Sequence, residues 1–86
     1  MTSRAATTWK FKKGILFAVE FGEVEISQND TVTFGNFDSS KALLNVVFWK
    51  KTDGTAMTST IALNVATVTG SGTNQDCVYM VYGYKA

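Results

Sequence analysis

Between Trp9 and Phe21 the odd positions hold Trp9, Phe11, Lys13, Ile15, Phe17, Val19 and Phe21, all but one of them large and apolar. The even positions hold Lys10, Lys12, Gly14, Leu16, Ala18 and Glu20. Successive side chains of a strand point to opposite faces, so a period of two describes a strand with one covered face. This places the odd residues in a core and turns Lys10 and Lys12 toward water or a protein neighbour. Gly14 is expected to bend the run or divide it into two strands. After Gly22 the apolar phase moves to Val24 and Ile26, with Glu23 and Glu25 between them. That shift predicts a bulge or tight turn at the glycine.

The rest of the chain follows the same theme. "SQND" (27–30) is a turn cluster, Val32 and Phe34 alternate with Thr31 and Thr33, and "GNFDSSK" (35–41) reads as a loop. "ALLNVVFWKK" (42–51) opens as a helix would, but its Val-Val-Phe-Trp end and the turn after it favour a central strand. That turn, "TDGT" (52–55), carries Asp-Gly, a hairpin signal whose central residues accept positive φ. The return strand "AMTSTIALNVATVT" (56–69) aligns Met57, Ile61, Leu63 and Val65 on one face. "GSGTNQD" (70–76) is a second turn region. In the final "CVYMVYGYK", Val78, Met80, Tyr82 and Tyr84 share one face, and Cys77, Tyr79 and Val81 the other. Such a strand is covered on both sides, or covered by a partner. Residues 1–8 are small and polar and read as a flexible arm ahead of a single β domain, 9–86. The expected fold is all-β, an antiparallel sandwich or barrel of about six to eight short strands.

Composition narrows the function. An 86-residue chain is one domain with a modest core, burying only ~60–65% of its unfolded surface. Threonine, β-branched and tolerant of a half-solvated face, is the commonest residue, with twelve copies, and proline is absent. Charged residues make up 17%, a light covering that suits a protein partly hidden in an assembly. The net charge of +1 gives no global pull toward nucleic acid or an acidic membrane. There is no apolar run of membrane-spanning length, and "MTSRAATT" lacks the apolar segment of a signal peptide.

With no histidine and a single cysteine, Cys77, the chain lacks the commonest general base and any cysteine-based metal site or internal disulfide. Its four aspartates, Asp30, Asp38, Asp53 and Asp76, all fall in turns, where backbone chemistry favours them. Glu23 and Glu25 share a strand face and do not oppose each other across a cleft. "TGSGTN" (69–74) leads into a strand, not the helix that a phosphate loop needs. The expectation is a non-enzyme without cofactor or metal.

"TWKFKKGILF" loosely resembles the early strands of cold-shock domains, small β-barrels that stack single-stranded bases on aromatics. The acidic "EFGEVE" follows directly, and alternation separates Trp9 and Phe11 from Lys10 and Lys12. More of the chain resembles small virion proteins of tailed bacteriophages, including capsid decoration proteins and related head or tail components. The polar arm, the short threonine-rich strands, "SQNDTVTF" and "ATVTGSGTNQDCVYMVYGY" carry that resemblance. It implies a structural virion protein, made in the host cytoplasm, that oligomerises (a trimer is favoured) and bridges subunits of a major capsid protein. Arg4, Lys10, Lys12 and Lys13 would then meet an acidic capsid surface, with Tyr79 and Tyr84 as further assembly contacts. Two alternatives remain: a β-barrel binding single-stranded nucleic acid, and a carbohydrate- or ligand-binding sandwich with Trp9 or Trp49 as the stacking residue.

Overall fold

The computed structural model describes residues 2–86, which form nine strands and no helix. In chain order these are β1 (Ser3–Arg4), β2 (Thr7–Lys13), β3 (Phe17–Ile26), β4 (Thr31–Thr33), β5 (Asn45–Lys50), β6 (Ala56–Met57), β7 (Ser59–Ala62), β8 (Val65–Val68) and β9 (Gln75–Tyr84). They make two sheets, a four-stranded one ordered β1-β4-β8-β7 and a five-stranded one ordered β2-β3-β9-β5-β6. All pairings are antiparallel except β1 with β4. The arrangement is sandwich-like, two sheets around one core. Long β3 and β9 pair over their whole length and form the spine of the larger sheet.

Phe34, Phe37, Phe48 and Tyr79 lie at the centre of the core, with the Phe34 and Tyr79 rings 5.3 Å apart and Phe37 edge-on to Phe34. Val32, Ala66 and Val68 line the other wall. β9 alternates as its sequence predicts: Cys77, Tyr79 and Val81 are buried, while Val78, Met80 and Tyr82 face outward.

β3 is reversed. It runs unbroken from Phe17 to Ile26, and its buried face is the even one, Ala18, Glu20, Gly22, Val24 and Ile26. Of the odd residues assigned to a core, only Phe11 packs against it. The phase change expected at Gly22 does not occur; the irregularity lies opposite, a bulge in β2 between Thr8 and Lys10. The reason is the space beneath Tyr79. A Cβ at position 22 would stand 2.7 Å from the Tyr79 hydroxyl and against the Thr7 carbonyl oxygen, so this point of the inner face admits only glycine. Beside it the Tyr79 hydroxyl donates to Glu20 Oε2 at 2.5 Å, which lets a carboxylate occupy an inward position.

The segment expected as one return strand divides in three. β6 closes the Asp-Gly hairpin on the larger sheet, and the chain then crosses to the other sheet as β7 and β8, joined by a tight turn with Leu63 at φ 53°. Leu63 therefore projects into solvent. In the "TDGT" turn only Gly54 takes positive φ. The segment expected as an arm also has partners: Ser3 and Arg4 pair with β4, and Thr7 opens β2. Together the arm and the divided return segment bring the strand count to nine.

Strand direction gives the molecule two distinct ends. At one lie the β2–β3 hairpin, the loop before β5 and the β7–β8 turn. They are tied by the Lys85 amide donating to the Leu16 carbonyl at 3.0 Å and the Leu43 amide to the Leu63 carbonyl at 3.0 Å. At the other end lie the turns at 27–30, 51–55 and 69–74, where the Gln28 amide donates to the Gly72 carbonyl at 2.9 Å.

Candidate functional site

Residues facing each other across an antiparallel pair project from the same face, so register alone maps the outer surface of the five-stranded sheet. Its rows, from the Leu16 end, are Phe17–Tyr84; Lys12–Val19–Tyr82–Asn45; Lys10–Phe21–Met80–Val47; Thr7–Glu23–Val78–Trp49–Ala56; and Glu25–Asp76. The middle of this array is apolar and open to solvent, with Phe21 41% exposed and Val19, Val47, Val78 and Met80 partly so. The β2 bulge adds Trp9 to the same face, where its indole N–H donates to Glu23 Oε2 at 2.9 Å and the ring stays 55% exposed.

The four-stranded sheet presents the opposite chemistry. Its outer face carries the row Ser3–Thr31–Thr67–Thr60, followed by Thr33–Val65–Ala62. Threonine explains this wall: its branched Cβ suits the strand while its hydroxyl stays hydrated. One wall of the sandwich is thus built for water and the other is not. The exposed aliphatics outside the sheet face, Ile15, Leu16, Leu44 and Leu63, all sit at the Leu16 end. Ile15, at 89%, is almost fully exposed.

Charge on the apolar wall is sorted along the strands. Lys10 and Lys12 stand on β2, and among the described residues neither has an ion-pair partner. Glu23, Glu25 and Asp76 lie toward the other end, Glu23 meeting Lys51 at 3.3 Å and Glu25 meeting Arg4 at 3.1 Å. A shallow hollow of about 340 Å³ runs between Lys12, Lys13, Phe17, Val19 and Tyr82.

The residues expected as assembly contacts separate into two groups. Lys10 and Lys12 border the apolar wall, Lys13 lies at the lip of the hollow, and Tyr84 packs against Phe17 with the rings tilted and 4.9 Å apart and the Lys41 ammonium 4.7 Å over the Tyr84 ring. Arg4 is engaged within the chain: its Nε donates to Asp30 at 2.7 Å, and its terminal nitrogens donate to Glu25 and to Asn74 at 2.9 Å. Tyr79 is buried under the core aromatics, its phenol pushed up by burial and by the Glu20 carboxylate, and it has no surface to give a partner. Cys77 is buried against Met57, with its thiol pushed up by burial. The residues that pattern reading missed are Phe17, Val19 and Phe21. The signal that could have found them is the neighbouring run in β5 and β9, apolar on both faces, which implies a covered outer wall.

No protein-family model, curated protein or solved structure matches this chain. The site is therefore read from its own geometry.

Proposed function

We propose that the chain is a structural subunit that works by contact rather than catalysis, a virion protein of the capsid-decoration type that sits on a larger protein lattice. The observation that carries this reading is the confinement of exposed apolar side chains to one broad wall and one end. The opposite wall is mostly threonine, with only Val65 and Ala62 apolar, and the opposite end is polar turn residues. A contiguous apolar face of this kind marks an interaction surface, because monomeric proteins rarely leave one open. The sequence's resemblance to small phage virion proteins supplies the setting. In that setting repeated weak contacts add up through avidity, so one small surface per subunit is enough.

One observation favours a second reading, single-stranded nucleic acid: Trp9 and Phe21 stand exposed beside Lys10 and Lys12, as a base-stacking platform would need. Against it, Glu23, Glu25 and Asp76 share the wall and repel phosphate, and Val19, Val47, Val78 and Met80 at its centre offer no ring to stack on. The carbohydrate reading has Trp9 exposed, but the polar groups beside it are spent on each other, its indole N–H on Glu23 and Glu23 on Lys51.

The test is native mass, alone and after mixing with tailed-phage capsids, combined with tryptophan fluorescence. The expected result is particle-bound protein and no fluorescence response to oligonucleotide or sugar. A chain that ignores particles but responds to single-stranded oligonucleotide, with an affinity falling steeply as salt rises, overturns the proposal in favour of the second reading.

A further inference from the structure

The apolar wall carries its own clue to what covers it. Lys10 and Lys12 lie two residues apart on β2, and Glu23 and Glu25 lie two residues apart on the adjacent β3, all on one face. The lysines are level with the Val19 and Phe21 rows, and the glutamates come next along the strands, toward the polar end. A two-fold axis in the plane of the sheet and across the strands, passing between the Phe21 row and the Glu23 row, exchanges the rows and keeps each strand over itself. It sets Lys10 of one copy diagonally across from Glu23 of the other, one strand to the side, and Lys12 likewise from Glu25, each pair twice. The same operation lays Met80 against Val78 of the second copy and Val47 against its Trp49, an apolar centre on β9 and β5, while Phe21, Val19 and Tyr82 come over Glu23, Glu25 and Asp76 of the second copy. A two-fold axis along the strands and between β3 and β9 instead brings Glu25 over Asp76, like charge on like.

Area and charge agree with a second copy as the occupant. Four strands at ~4.8 Å spacing and eight residue steps at ~3.4 Å give the wall a projected area of roughly 500 Å². Side-chain relief raises the accessible area toward the ~800 Å² per partner typical of stable interfaces. The side chains of Lys10, Lys12, Glu23, Glu25 and Asp76 on this wall, with Lys51 and Arg4 that pair with its glutamates, sum to a charge of only +1. Such a surface complements itself better than it complements a polyanion. Isologous contact of one patch with itself is the commonest route to a soluble oligomer.

We infer that the outer face of the five-stranded sheet is a homodimer interface in which the two sheets meet with their strands antiparallel, Lys10 and Lys12 diagonally across from Glu23 and Glu25 of the second copy. This rests on the reading of the chain as an assembly subunit, and it names the partner of that surface as the chain itself. It departs from the trimer that the virion resemblance implies. The two Leu16 ends then point in opposite directions, so a dimer could bridge two lattice sites.

The test is sedimentation equilibrium across a wide concentration range, with circular dichroism on every variant to establish that it is folded. The chain should be a reversible dimer, and Met80→Asp should leave a folded monomer. Lys12→Glu should weaken the dimer ~10-fold or more by setting like charges together twice, and adding Glu25→Lys should restore it. A dimer that Lys12→Glu weakens but Glu25→Lys does not restore overturns the antiparallel arrangement. A folded chain that stays monomeric at every concentration yet still occupies capsids overturns the inference alone. A monomer that also ignores capsids overturns the assembly reading with it.

Discussion

A carboxylate beneath aromatic rings is destabilising unless its oxygens are saturated with donors. Glu20 meets that condition: the Tyr79 hydroxyl and the Thr8 hydroxyl donate to one oxygen at 2.5 and 3.2 Å, and the Asn36 amide to the other at 2.9 Å. Tyr79→Phe removes the donor buried deepest, and urea titration should show a loss of about 1–3 kcal/mol. Gly22→Ala forces a methyl group against the Thr7 carbonyl and the Tyr79 hydroxyl, an overpacking expected to lower stability by roughly 1–3 kcal/mol in the same assay. Asp30 is the second residue of this kind. Burial alone would raise its carboxyl; the Ser27 amide, the Arg4 guanidinium and the Thr2 amide outweigh burial and hold it below the usual carboxylate range. A carboxyl depressed in the folded state contributes stability above its unfolded pKa of about 3.9 and loses it as pH falls through the folded value. Acid titration followed by hydrogen exchange should therefore release the Thr2–Arg4 segment, and Asp30→Asn should remove that pH dependence at neutral charge.

At the scale of the element, β2 is a seven-residue edge strand with an unpaired side, the kind of edge that invites another strand. Its three lysines and its bulge make that pairing costly, so the cations on β2 also serve as a guard. Replacing Lys10 and Lys12 with valine should turn the edge into a pairing site, with turbidity and thioflavin fluorescence rising with time and concentration. The same strand shows where the sequence is informative and where it stops. β9 and β5 could be read directly, because a strand between two neighbours and over a core declares itself by apolar residues on both faces. The turns at 27–30, 52–55 and 70–74 are legible from Asn, Asp and Gly chemistry, whereas Gln75 and Asp76, expected in the last turn, open β9 instead. β3 misleads as far as Gly22 because its inward face there is Ala18, Gly22 and one satisfied glutamate, while its outward face has the large apolar side chains that normally mark a core. The space under Tyr79 depends on a contact between residues 57 positions apart, which periodicity does not encode. The break of the return segment is hidden for the same reason: it depends on which sheet has room, not on local propensity.

The whole molecule is about 36 Å long, close to the length of its ten-residue strands, so properties that vary along a strand become properties of the two ends. Ile15, Leu16, Leu44 and Leu63 gather at one end, and Ser27, Gln28, Asn29, Asp53 and Gly54 at the other. Under the proposed function the aliphatic end is the part that enters a groove of the lattice, since a hairpin tip can reach where a flat sheet cannot. It is separate from the sheet face, so the two contacts can be broken independently. Ile15→Ser with Leu16→Ser exchanges solvent-exposed side chains of a hairpin tip; thermal melting should move little, and sedimentation should give the same dimer as the parent chain. Co-sedimentation with capsids should fall sharply, because each buried leucine-sized side chain contributes roughly 1.5–3 kcal/mol and avidity multiplies the loss over both ends of the dimer. Met80→Asp should act in the reverse order, dissolving the dimer first and reducing particle occupancy only through the lost second contact. Undiminished occupancy in the Ile15/Leu16 variant would move the lattice contact to the apolar wall and leave the hairpin tip without a role in assembly.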